Sequence, residues 1–216
     1  GEAAAQLRGR LMGMAAWLML LAGVSAAGTW LALVYARRHK LIDQPGERRS
    51  HSVPTPRGGG IGITVALLFA CVMGGWMGVA GPAPLLGFAV GLLLVAGIGW
   101  VDDHRPLSPL LRLLVQGLAG VVLAWGLHGV EERWGWAVLT ALSVPVLVNV
   151  WNFMDGINGL ASSQAVLAAV AFAWLVPAVA YPALALAAAT AAFVPYNFPK
   201  PRIFLGDVGS GTLGYA

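Results

Sequence analysis

Residues 58–101 read GGGIGITVALLFACVMGGWMGVAGPAPLLGFAVGLLLVAGIGWV, and Asp102-Asp103 follow at once. The run carries no charge. As one helix it would extend about 66 Å, twice the roughly 30 Å of bilayer hydrocarbon. The breakers Gly81-Pro82-Ala83-Pro84 divide it, so it reads as two membrane spans joined by a tight turn and ending on paired carboxylates.

The remaining uncharged stretches repeat the pattern. Leu11 to Ala36 makes one span, Leu110 to His128 and Trp134 to Trp151 one each, and Gly156 to Pro199, broken at Pro177 and Pro182, two more. A further apolar run opens at Gly209. The expected fold class is therefore all-α: a polytopic transmembrane helical bundle with seven spans and the start of an eighth. Composition agrees. Of 216 residues 58% are apolar and 10% charged, where a soluble domain carries about a quarter charged. Mean hydropathy is +0.77. These values exclude a soluble enzyme, a disordered tail and a disulfide scaffold. Cys71, the single cysteine, reads as a buried inert thiol. A net charge of +4 confined to loops gives no nucleic-acid surface. The apolar stretch that contains Val24-Ser25-Ala26 exceeds a signal-peptide core, so it is read as an uncleaved span.

Arg37, Arg38, Lys40, Arg48, Arg49 and Arg57 crowd the first loop, which the positive-inside tendency assigns to the cytoplasm against Arg8 and Arg10 near the N-terminus. Alternation then puts the loops at 102–109, 152–158 and 196–207 on the same side. Asp43, Glu47, Asp102, Asp103, Asp155 and Asp207 all fall there. Carboxylates at span ends do little for orientation and are expensive beside lipid, so they call for another explanation. Two charges about 6 Å apart repel by roughly 3 kcal/mol at an effective dielectric of 20, which invites a hard divalent cation at Asp102-Asp103. Asn152-Phe153-Met154-Asp155-Gly156-Ile157-Asn158-Gly159 is a polar turn before a span, where Asp155 alone would read as a cap. Phe204-Leu205-Gly206-Asp207-Val208-Gly209-Ser210 offers a carboxylate, a hydroxyl and an aromatic face. His51 through Arg57 to Gly58-Gly59-Gly60 offers cations and bare glycine amides suited to phosphate. Together they suit Mg²⁺-dependent phosphoryl chemistry on a membrane-embedded substrate. Neither donor nor acceptor is legible from the inventory.

Four stretches, DQPGERRSHSVPTPRGGG, VDDHRPLSPLLRLLVQ, NVWNFMDGINGLA and NFPKPRIFLGDVGSGTLG, resemble the polyprenyl-phosphate N-acetylhexosamine-1-phosphate transferases (glycosyltransferase family 4) in content and order. They are closest to the O-antigen-initiating type. The resemblance implies an all-helical enzyme of the bacterial inner membrane with cytoplasmic active-site loops. Such an enzyme transfers a sugar-1-phosphate from a UDP-sugar to undecaprenyl phosphate, releases UMP and uses Mg²⁺. Its implied partners are those two substrates and the bilayer, and a homodimer is left open. By position, Asp102, Asp103 and Asp155 match catalytic residues, and Asp207 matches the metal ligand. Asn152, Asn158, Asn197, Phe204, His51 and Arg57 match substrate-binding positions.

Asn158 stands where the family usually carries a second aspartate. The family's His-rich loop has no counterpart among His39, His51, His104 and His128, so the 216 residues are expected to form a single catalytic domain short of the C-terminal spans. The rival readings are a transporter or an inactive scaffold on the same fold. Transport predicts acids at mid-span. A CDP-alcohol phosphotransferase is disfavoured because its spaced-aspartate signature is missing.

Overall fold

Uncharged runs of this length in lipid must satisfy their own backbone, and helices do so within each segment. The computed structural model describes residues 2–43, 53–129 and 134–216, and is helical almost throughout. Its helices are α1 (Glu2–Arg38), α2 (Ile61–Trp76), α3 (Pro82–His104), α4 (Pro109–His128), α5 (Trp134–Met154), α6 (Leu160–Leu175), α7 (Ala180–Asn197) and α8 (Gly206–Tyr215). A two-residue antiparallel pair, β1 (Ile42–Asp43) with β2 (Thr55–Pro56), is the one departure from all-α among the described residues. It ties together the two ends of the loop that contains His51, which itself lies outside the described residues.

Five segments are long and apolar enough to cross a bilayer: Met12–Arg38, Pro82–His104, Pro109–His128, Trp134–Met154 and Pro177–Asn197. The expectation of seven spans is met to that extent. Ile61–Trp76 and Leu160–Leu175 have 16 residues each, about 24 Å of helix and short of the hydrocarbon thickness. Glycines 74, 75 and 78 end α2 early, and Pro177 turns the end of α6 into a single 3-10 turn.

Packing in the bundle follows side-chain size. In lipid an apolar face carries no signal, so helices associate where small residues let backbones approach. On α6 the buried positions are Ala161, Ser162, Ala165 and Ala169, and on α4 they include Ala119, Gly120, Ala124 and Gly126. Large residues such as Trp76, Trp125, Leu142 and Trp174 point outward. Helix α8 runs through the middle, packed on α2, α3, α5 and α6, with every residue from Val208 to Tyr215 buried. Gly60 lies against Gly209, and a side chain on Gly99 would collide with the Asp207 carbonyl, so α8 is reached at backbone distance from two sides. Hydroxyls bridge the same contacts: Thr64 and Thr212 meet at 2.7 Å, and Ser25 Oγ donates to the Ala189 carbonyl at 2.6 Å. Cys71 is half-buried rather than sealed in, and its Sγ donates to the Leu85 carbonyl at 3.2 Å.

Candidate active site

Consecutive residues of a helix point about 100° apart, so the two aspartates that end α3 face different neighbours. Asp103 is 1% exposed and faces α8. Its Oδ1 accepts the Asp207 N–H at 3.0 Å and its Oδ2 the Val208 N–H at 3.2 Å. These are among the first amides of α8, which lack partners within their own helix, so Asp103 is an N-cap supplied by another helix. Gly206 takes a φ of +76°, and a Cβ there would press on Asp103 Oδ2 and on the Gly58 backbone. The chain can therefore enter α8 only on a glycine. Arg57 completes the clamp. Its Nε lies 3.7 Å from Asp103 Oδ1, and its guanidinium donates to the Asp103 carbonyl.

Asp102, 7% exposed, turns to α4. Its Oδ1 accepts the Leu107 N–H at 2.6 Å and its Oδ2 accepts from Arg112 Nη1 at 2.8 Å. The Asp102 and Asp207 carboxyls also lie within hydrogen-bonding reach of each other. Carboxyl groups that close must share a proton or a cation. Asn152, in the last turn of α5, donates to Asp207 Oδ1 at 2.5 Å and to Ser210 Oγ at 3.2 Å. Asp155, just past α5, is partly buried and accepts a hydrogen bond from the Gly206 N–H. Burial pushes its carboxyl well above the usual range; the Asp207 and Asp103 charges add to the shift, and the Gly206 N–H opposes it. Asp155 thus caps no helix of its own; it faces the start of α8.

The three consecutive glycines serve packing. The Gly59 N–H donates to the Phe204 carbonyl and the Gly60 N–H to the Leu205 carbonyl, both at 2.9 Å. Those two amides are spent on the chain, which corrects their reading as a phosphate cradle. The Phe204 N–H reaches the Pro56 carbonyl at 2.8 Å, so the segments around Arg57 and Phe204 are laced together, with the ring partly exposed. Asn197 is 3% exposed. Its Oδ1 accepts the Gly159 N–H at 2.7 Å and its Nδ2 donates to the Ile203 carbonyl at 3.3 Å, so it pins the turn carrying Asn158 to the segment carrying Phe204. Asn158 itself is partly buried in that turn.

Asp102, Asp103, Asp155, Asp207, Asn152 and Arg57 thus meet at one end of the bundle. An open cleft of about 390 Å³ there is lined by Arg57, Asp102, Pro106, Leu107, Arg112 and Asp207. Sequence reasoning assigned no role to Arg112. Its signal was present, since it is the one Lys, Arg, Asp or Glu within α4, and an ionisable group inside a span marks function by default. Among the described residues no cluster of three or more His, Cys, Asp or Glu stands ready for a metal. The Asp207–Asp102 pair nonetheless suits a small hard cation, which takes one or two carboxylates and fills its shell with water and phosphate oxygens.

The sequence profile of glycosyl transferase family 4 matches residues 85–216, more than half of the chain. The chain belongs to that family. It is 30% identical over 91% of its length to a decaprenyl-phosphate N-acetylglucosaminephosphotransferase of Mycobacterium leprae, covering 58% of that protein. It is 27% identical over 84% of its length to an undecaprenyl-phosphate alpha-N-acetylglucosaminyl 1-phosphate transferase of Thermotoga maritima, covering 56%. A phospho-N-acetylmuramoyl-pentapeptide-transferase of a Synechococcus strain is 31% identical over 92% of the chain, covering 64%. The chain thus spans between half and two-thirds of these curated relatives. The matched region holds the whole Asp102–Arg112–Asp207 arrangement, while Arg57 and the glycines lie before it.

Proposed function

We propose that the chain is a transmembrane catalytic domain that transfers an N-acetylhexosamine-1-phosphate from a UDP-sugar to undecaprenyl phosphate. One observation carries this reading: the Asp103 carboxylate holds the first amides of α8 and so sets Asp207 against Asp102 in front of Arg112. A lipid phosphate oxygen would attack the β-phosphorus, the bond from that phosphorus to the bridging oxygen would break, and UMP would leave with the electron pair. Catalysis of this kind is mostly positioning and charge neutralisation.

The chain's residues supply both. Arg57 and Arg112 face the charge of a diphosphate in the cleft. Asp102 holds Arg112 in place through its carboxylate. Asn152 occupies one oxygen of Asp207, which orients the carboxyl toward a cation. Mg²⁺ bound at Asp207, with Asp102 beside it, would neutralise the charge on the diphosphate and the departing UMP. Asp155, whose carboxyl accepts from the Gly206 N–H, would complete the set of catalytic carboxyls at the start of α8. Phe204 would stack on the uracil, with Asn158 and His51 as further donor contacts.

The two 16-residue helices are read as crossings too, because α2 leaves the site end and α3 returns to it, as do α6 and α7. The cations Arg37, Arg38, Lys40, Arg57, Arg105, Lys200 and Arg202 gather at that end, which supports cytoplasmic active-site loops in a bacterial inner membrane. The acids at this end, rather than at mid-span, favour transfer over transport. The test is to incubate membranes carrying the protein with Mg²⁺, undecaprenyl phosphate and a panel of UDP-sugars. UMP is expected with an N-acetylhexosamine donor, and its absence with every donor overturns the proposal.

A further inference from the structure

Helices α2 and α6 each finish on a nearly bare tryptophan. Trp76, the last residue of α2, is 87% exposed, and Trp174, in the last turn of α6, is 82% exposed. Trp125 in the last turn of α4 and Trp134 and Trp136 in the first turn of α5 are exposed as well. All five lie at the end of the bundle away from the carboxylates, because α2, α4 and α6 leave the site and α5 returns to it. Of the exposed tryptophans only Trp30, on α1, lies elsewhere. The site end carries cations instead. Indole rings gather at a membrane–water interface and Lys and Arg at the cytoplasmic margin, so the two ends mark the two boundaries of the hydrocarbon.

The distance between those boundaries is written along four helices. Ile61 to Trp76 on α2 spans about 23 Å, and Leu160 to Trp174 on α6 about 21 Å. The longer α4 and α5 agree once their polar ends are set aside: Arg112 to Trp125 spans about 20 Å and Trp136 to Asn152 about 24 Å. Hydrogen bonds hold neighbouring helices level. Cys71 and Tyr181 tie α2 to α3 and α7, and His128 Nε2 lies 3.1 Å from Thr140 Oγ1, which ties α4 to α5. The shortness does not come from a lack of apolar residues. Met77, Val79 and Ala80 follow α2, and Val176 follows α6, but glycines and Pro177 end both helices.

A bilayer with about 30 Å of hydrocarbon is too thick for these helices by about 6 Å. Either the site end sinks or the lipid compresses. Sinking would place Arg112, Asp102 and Asp207 below the hydrocarbon boundary, where charge is expensive. Compressing lipid costs only a small fraction of that for each ångström.

We infer that the lipid partner of this bundle is a thin bilayer, with about 24 Å of hydrocarbon, and that bilayer thickness tunes its stability and turnover. In a thicker membrane the lipid is drawn in around the bundle, and the cost falls on the exposed tryptophans that hold the far boundary. The inference rests on reading α2 and α6 as crossings, not on the identity of the reaction.

The test places the protein in nanodiscs of phosphatidylcholines whose monounsaturated chains run from about 14 to about 22 carbons, the shortest giving about 24 Å of hydrocarbon and the middle of the series about 30 Å. The melting temperature, read by circular dichroism, is expected to be highest at about 14–16 carbons and at least about 5 °C lower at about 22. UMP release should follow the same order, falling at least about fivefold. The double variant Trp76→Leu/Trp174→Leu removes two exposed rings from the far boundary and leaves the core untouched. It should fold, with the spread in melting temperature reduced to less than about half. A wild-type optimum at about 18 carbons, a flat profile, or an undiminished spread in the variant would overturn the inference. If no donor yields UMP in any lipid, the transferase reading falls by itself, and the melting profile still decides this one.

Discussion

The bundle has an opening near each end, and only one of the two holds chemistry. At the far end, between the α2–α3 turn, the last turn of α4 and the start of α7, lies a cavity of about 740 Å³ lined by Leu67, Ala70, Leu85, Phe88, Leu127 and Leu186. Its polar atoms are spoken for: Cys71 donates to the Leu85 carbonyl, and Tyr181 donates to the Ala70 carbonyl at 3.3 Å. At the site end the cleft instead holds two arginines and two aspartates. What separates them is charge that the fold holds in place, Asp103 by two amides and Asp102 by Arg112, so that like charges remain close together instead of moving apart.

The contrast breaks most sharply at Asp207. Asp207→Asn should lower UMP release by about a thousandfold or more, the scale of losing several kcal/mol of charge stabilisation, with helical content by circular dichroism unchanged. Retained turnover would place the chemistry elsewhere. Next comes Asp103, whose role here is to hold α8. Asp103→Ala should cost about a hundredfold and raise the Mg²⁺ concentration needed for half-maximal rate. Asp103→Asn should recover part of the loss, because its amide oxygen still accepts one N–H.

Asp155 sharpens the comparison through stability. Its carboxyl holds a proton more tightly folded than unfolded. Wild-type stability therefore falls as pH rises from about 4 through the folded value, where the unfolded state no longer binds that proton but the folded state does. In metal-free buffer Asp155→Asn should melt above the wild type at pH 8, by about 2–4 °C for each kcal/mol relieved, and the gain should vanish near pH 4. The smallest effects belong to the far end. Cys71→Ala and Tyr181→Phe each remove one hydrogen bond, worth about 1 kcal/mol, and should leave turnover within about twofold.

Much of the site was legible because its residues are chemically out of place. Paired carboxylates that end an uncharged run have no solvation motive, and alternation of the spans puts Asp102, Asp103, Asp155 and Asp207 on one face of the membrane. The division of labour among them was not legible. Adjacent aspartates look alike in a string, yet one caps α8 and the other holds Arg112. Gly58-Gly59-Gly60 also misled: bare amides suggest an anion, but Gly59 and Gly60 give theirs to the Phe204 and Leu205 carbonyls. The small-residue stripes of α4 and α6 were in plain view, but a hydropathy reading is blind to size.

Membrane residence, the helical class and the gathering of acids at span ends follow from composition and order alone, because the cost of placing charge near hydrocarbon is local and large. Which acid touches which arginine, which amides stay free and which glycines serve only to let α8 approach depend on ångström-scale distances between segments far apart in the chain. Packing sets those distances. In a bundle whose surfaces are almost uniformly apolar, packing is governed by side-chain size and by a few interhelical hydrogen bonds.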